Sequence, residues 1–100
     1  MAGQDIGGRY VIELPSTTGR MVSLEFRVRL DSVEAWYQDR CQAVMDRDLL
    51  RYWLDENPTA YVVDDLMWTR DDADEVILVI RGSGCWLIPA PLMAGLRDLV

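Results

Sequence analysis

The sequence contains no histidine and no lysine, and all ten of its basic residues are arginine. Without an imidazole there is no ordinary general base near neutral pH and no nitrogen ligand for a transition metal. Without an amine there is no Schiff-base chemistry. Only two cysteines are present, Cys41 and Cys85, too few for a zinc site in the absence of histidine. They could be bridged only if the fold brings their α-carbons within about 7 Å. The expectation is therefore two buried free thiols in a cytoplasmic protein. No apolar run approaches the roughly 20 residues that span a bilayer. Met1 to Asp5 offers neither a basic n-region nor an apolar h-region, so no signal peptide is expected. Gly7-Gly8 and Gly82-Ser83-Gly84 match no phosphate-binding fingerprint.

What the chain has in abundance is local negative charge. Ten acids lie between Asp46 and Glu75, against Arg47, Arg51 and Arg70. The other residues are balanced, so the whole formal net charge of −7 belongs to that stretch. Local charge of one sign can mark a partner surface. Half of the 100 residues are apolar, which suits one globular domain with a modest core.

The pattern along the chain supplies the elements. The Gly-rich first eight residues are expected to be a frayed terminus, leaving 9–100 as the domain. Arg9 to Leu14 reads as a strand, and Pro15 to Gly19 as a turn. From Met21 to Leu30, Val22, Leu24, Phe26, Val28 and Leu30 alternate with Ser23, Glu25, Arg27 and Arg29, the period of a half-buried strand. Asp31 to Met45 reads two ways. A helix would be capped by Ser32; a strand would place Tyr37, Cys41, Ala43 and Met45 on one face. The strand is preferred, because Asp46 is a good N-cap and a new helical phase of Leu49, Leu50, Trp53 and Leu54 follows it. Asn57-Pro58 stops that helix. Ala60 to Thr69 reads as one strand interrupted by a bulge or edge at Asp64-Asp65. Arg70 to Asp74 is a polar loop, and Glu75 to Arg81 the most apolar strand, expected at the centre of the sheet. Gly82-Ser83-Gly84 is a hairpin loop, Cys85 to Ile88 the return strand, and Pro91 opens a final helix. The order β-β-β-α-β-β-β-α implies an α+β domain: an antiparallel curved sheet of about six strands with two helices on one face.

Catalytic patterns are sparse. Ser83 lacks the spacing of a nucleophile elbow and has no base to activate it. Carboxylate pairs such as Asp46/Asp48, Asp64/Asp65 and Asp71/Asp72 are the remaining acid–base option, but such pairs mostly decorate caps and turns. Asp71 to Glu75 lacks the calcium-loop pattern and its glycine. The expectation is no catalytic, metal or cofactor residue. Arg20, Arg27 and Arg29 form a small basic stripe that Glu25 dilutes, so direct nucleic-acid binding is not expected either. Four tryptophans in 100 residues should mostly anchor the core, while Trp36 or Trp53 is a candidate for an interface.

From Trp36 onward, Arg47-Asp48-Leu49-Leu50 after Ala43-Val44-Met45, then Asp65-Leu66-Met67-Trp68-Thr69, form a pattern that resembles the SsgA-like proteins of sporulating actinobacteria. The latter segment lacks the proline of the family's Val-x-Val-Trp-Pro. The apolar strand, the Ser83-Gly84 turn and the proline-opened helix follow in the same order. Exclusive use of arginine fits the GC-rich coding of such organisms. The resemblance implies a compact curved sheet with helices and a non-enzymatic recruiting role in cell division or development. Residues and resemblance together point to a small cytoplasmic adaptor or regulator that binds a protein partner with a basic surface and self-associates. Its candidate contact residues are Asp64, Asp65, Asp71, Asp72, Trp36 and Trp53. Arg47 and Arg51 are expected to form surface ion pairs with Asp48, Asp55 and Glu56. The alternative is an acidic inhibitor, an immunity protein or phage antagonist covering a basic nucleic-acid-binding site. An acid-only hydrolase is the third and least supported reading.

Overall fold

The structure is a computed structural model that describes residues 8–15, 19–56, 60–71, 73 and 75–100. Its first half is a four-stranded antiparallel meander, β1 (Arg9–Pro15), β2 (Met21–Val28), β3 (Ser32–Tyr37) and β4 (Arg40–Asp46), followed by helix α1 (Arg47–Glu56). The second half repeats that order: β5 (Tyr61–Val63), β6 (Leu66–Arg70), β7 (Val76–Ile80) and β8 (Gly84–Ile88), then α2 (Ala90–Leu99). The α+β class and the two helices stand. The single sheet of about six strands does not, because the strands form two sheets of four.

Two hairpins account for the difference. The segment read as one strand to Met45 folds back at Gln38-Asp39, which take φ values of 52° and 61°. Neither residue is the glycine that such a left-handed turn usually recruits, though aspartate tolerates the region. The helical reading of Asp31 to Met45 falls with it. The second fold-back is Asp64-Asp65: Val63 pairs with Leu66 directly across it, and Asp64 has φ 52°. This pair is a two-residue hairpin turn rather than a bulge within one strand. A true irregularity lies elsewhere, between β3 and β4. Ala35 pairs with Ala43 but Trp36 pairs with Cys41, leaving Gln42 as the extra residue. That extra residue turns Cys41 outward, away from the buried row of Tyr37, Ala43 and Met45.

The inner faces of the sheets pack on each other, as strand alternation dictates. Phe26 of β2 meets Trp68 of β6 with ring centroids 5.6 Å apart, and Tyr37 of β3 meets Trp86 of β8 at 5.2 Å. The Trp68 indole is fully buried and donates to the Met45 sulfur at 3.1 Å. Edge strands β4 and β5 run side by side. Tyr61 lies against the main chain of Asp46, and the Asp64 charge reaches Cys41. No polar or charged residue is buried among the described residues, so burial of apolar surface carries the stability.

The helices close the same core. Asp46 caps α1 as expected, its carboxylate accepting from the Leu49 N–H at 3.0 Å. Leu50 and Trp53 are buried, while Leu49 stays exposed. The Asn57-Pro58 stop lies outside the described residues. α2 starts after Pro89, with Pro91 in its first turn, and buries Met93 and Leu96. It sits against β1, where the Tyr10 hydroxyl donates to the Leu92 carbonyl at 2.6 Å. Residues 1–7 of the expected frayed terminus lie outside the described residues. Gly8 is tied in, its carbonyl accepting from the Val28 N–H at 2.7 Å.

Candidate functional site

Each sheet leaves an outer face open, and the two faces differ in chemistry. Alternation in the first sheet brings Glu25, Arg27, Glu34 and Trp36 to the outside. Glu25 accepts from Arg27 Nε at 2.6 Å and from Arg9 Nε at 2.8 Å. Both guanidiniums hold the Glu25 carboxyl below the ordinary glutamate range. Arg29 pairs with Glu34 at 3.6 Å, so two members of the basic stripe are matched by carboxylates. The Arg27 guanidinium also lies over the Trp36 ring, 4.0 Å from its centroid, and the indole N–H donates to Glu34 at 2.9 Å. Beside Trp36 lies an open groove of about 550 Å³, lined by Val11, Arg20, Met21 and Asp39 among others. Its charges balance.

The second sheet presents the opposite case. Its register lines up Val62, Met67, Val79 and Cys85 across all four strands, and Thr69, Ile77 and Leu87 across three. These side chains point away from the core, and none of them is charged. Val62 is 63% exposed and Leu87 50%; Met67, Thr69, Ile77 and Val79 are half-buried. Among the described residues no helix covers them: α1 and α2 both bury their apolar side chains in the core. Contiguous uncovered apolar surface on a small domain often marks a contact site.

The acidic residues frame this face at its two ends. Asp64 and Asp65 form the β5–β6 turn, where Arg81 lies 3.9 Å from the Asp65 carboxylate. Asp71 begins the β6–β7 loop. Its carboxylate accepts from the Ala73 and Glu75 N–H groups, both at 2.9 Å, so it holds the loop in shape while adding charge. The five residues of β6 separate the two groups by roughly 20 Å, so they are not one contiguous acidic patch. Asp72, the remaining acidic candidate, lies outside the described residues.

The two tryptophan candidates part ways. Trp36 is half-exposed on the first sheet. Trp53 is only 3% exposed, packs 6.0 Å from Trp68 between ring centroids, and has the Arg70 guanidinium 4.9 Å above it. It is a core residue, and its expected interface role is corrected.

In place of the expected close ion pairs, Arg47 and Arg51 hold main-chain carbonyls, although the Arg51 charge still helps to lower the Asp55 carboxyl. Arg47 donates to the Leu99 and Val100 carbonyls at 3.1 and 3.3 Å and to the Arg29 carbonyl at 2.8 Å. Arg51 donates to the Val100 carbonyl as well. Both guanidiniums thus serve the C-terminal end of α2, where carbonyls lack helical partners. Asp55 pairs instead with Arg97 of α2, at 2.5 and 3.0 Å, and that hydrogen bond holds its carboxyl below the ordinary range. Both cysteines are free thiols, as expected, but both are exposed rather than buried. Contact with neighbouring atoms, then the Glu34 charge, push the Cys41 thiol up, away from thiolate reactivity.

The outer face of the second sheet is the feature that sequence reasoning missed. Its signal was the run Val76 to Ile80, apolar at every position. That run was read as a central strand. It is central, between β6 and β8, yet only alternate residues face the core. Antiparallel sheets commonly pack one face and leave the other open, so an unbroken apolar strand leaves apolar side chains at the surface.

The chain matches no family model, no curated protein and no solved structure. Among the described residues, no helix is long and apolar enough to cross a membrane.

Proposed function

We propose that this chain is a small non-catalytic recognition module, an adaptor or regulator, whose working surface is the outer face of the second sheet. The observation that carries the reading is the contrast between the two outer faces. One is neutralised by its own ion pairs. The other is uncharged, edged by acids and, among the described residues, uncovered. Such a face suits a protein partner with apolar and basic residues side by side. A recruiting role in cell division or development, as the SsgA-like resemblance implies, is compatible with such a module. The separation of the two acid groups along β6 favours it over an inhibitor that would need one broad acidic surface.

The test is face-specific capture. The protein, with Cys41→Ser and a cross-linker placed at Cys85, is incubated with lysate of its source organism, and captured partners are identified by mass spectrometry. Ile77→Glu and Leu87→Glu should abolish capture of a defined partner, while Val11→Glu and Met21→Glu on the first sheet should not. Equal capture by all four variants refutes the reading. Gene neighbours encoding division or sporulation proteins would support the pathway, whereas a neighbouring nuclease toxin would favour the inhibitor.

A further inference from the structure

The shape and charge of the face narrow its occupant. We infer that it receives a short amphipathic helix from a partner protein, lying across the strands, with arginine or lysine along one flank of its apolar stripe. This rests on the functional reading above and specifies its partner.

The apolar residues form two rungs, Val62-Met67-Val79-Cys85 and Thr69-Ile77-Leu87. With strands about 4.8 Å apart and alternate residues about 7 Å apart, the band is roughly 14 Å long across the strands and 7 Å deep along them. A helix is about 10–12 Å in diameter and rises 1.5 Å per residue, so about ten residues cover the band in both directions. An amphipathic helix supplies a matching stripe at i, i+3, i+4 and i+7.

The two long sides of the band are unequal. The next outward position beyond Thr69-Ile77-Leu87 holds two acids, Asp71 and Glu75, at the ends of the β6–β7 loop. Asp71 and Glu75 are exposed there and joined by a main-chain hydrogen bond of 3.0 Å. Beyond the other rung, Asp64 and Asp65 are offset by Arg81. Charge complementarity therefore asks for a helix that is basic on the flank facing the 71–75 loop and undemanding on the other.

The same features exclude a second copy as the preferred occupant. Both copies would bring a −7 charge and an acidic loop to the contact. The patch, roughly 300 Å² once side-chain width is added, is also well short of the ~800 Å² per partner of a stable dimer. A small charged contact of this kind makes a transient, salt-sensitive complex.

Three fluorescein-labelled 14-residue helical peptides test this against the full chain by anisotropy. All share one leucine stripe; one carries arginine on a single flank, one glutamate on that flank, and one arginine only on the face opposite the stripe. The flank-arginine peptide should bind best, shift the methyl resonances of Met67, Ile77, Val79 and Leu87, and weaken with added salt. The double variant Asp71→Asn/Glu75→Gln keeps the oxygen that accepts the loop hydrogen bonds. It should weaken this peptide about three- to tenfold, while Asp64→Asn/Asp65→Asn should change it less than twofold. Equal affinity for all three peptides, shifts confined to the Trp36 groove, or no binding up to roughly 1 mM would overturn the inference. So would a concentration-dependent dimer abolished by Ile77→Glu, which would assign the face to a second copy. If the peptides fail but face-dependent capture from lysate persists, the helix is wrong and the module stands. If both fail, the module falls too.

Discussion

Gly95 occupies the middle of α2 against the ring of Tyr10, and replacing it with alanine sets two effects in opposition. A β-carbon there would lie 2.7 Å from Tyr10 Cζ and 2.9 Å from Cε1, and closer still to the hydroxyl. Real β-carbons do not make such contacts, so the tyrosine must move. Moving it breaks the hydrogen bond from its hydroxyl to the Leu92 carbonyl. Helix propensity favours alanine by about 1 kcal/mol. Overpacking costs about 1–3 kcal/mol and the lost hydrogen bond about 1 more. The net expectation is a loss of about 2 kcal/mol, or roughly 10 °C in Tm for a domain of this size. In a Tyr10→Ala background the obstacle is gone, and Gly95→Ala should instead stabilise by up to about 1 kcal/mol. Urea and thermal unfolding, followed by circular dichroism on the four proteins of this cycle, measure both numbers. A Gly95→Ala protein more stable than wild type, or an equal loss in both backgrounds, refutes the account of how α2 docks on β1.

Trp53→Ala should cost about 3–5 kcal/mol by chemical denaturation, as large-to-small core changes do. Trp36→Ala should cost about 1 kcal/mol or less, because Trp36 is half-exposed on an outer face. Glu25 is held low by Arg9 and Arg27, so the unfolded chain binds its proton more readily than the folded one. The stabilisation is therefore present above the ordinary glutamate value of about 4.3 and is lost as pH falls below it. Wild type should exceed Glu25→Gln in Tm at pH 7, and the gap should close by acid pH; a constant gap would count against the ion pairs. Asp64→Gly should leave stability nearly unchanged, whereas Asp64→Val, forced to the same positive φ, should lower it by about 1–2 kcal/mol.

Much of the first sheet and both helices could be read from the chain, because their signals are local. The alternation of Val22 to Val28, the Asp46 cap and the proline-led start of α2 each stand in the structure. What escaped was turn chemistry. Gln38-Asp39 and Asp64-Asp65 contain no glycine, and the left-handed backbone of Gln38, Asp39 and Asp64 is set by the pairing of the strands they join. Missing both turns merged four strands into two and two sheets into one. The same error places Asp64-Asp65 at a bulge or edge, where the structure has the hairpin turn itself. Trp53 escaped because helical spacing shows which residues share a face but not what covers it. The open outer face of the second sheet was invisible for a related reason: an apolar strand looks the same whether one of its sides is covered or both.

The repeated meander also bears on how the chain folds. Every strand pairs with its sequence neighbour, so each sheet closes only short loops and can form early. The contacts that join the halves, Phe26 with Trp68 and Tyr37 with Trp86, span 42 and 49 residues and must wait for both sheets. Docking of the halves is then the slow, cooperative event. Trp68 lies in that joint between Phe26, Met45 and Trp53, and its fluorescence would report the moment it closes.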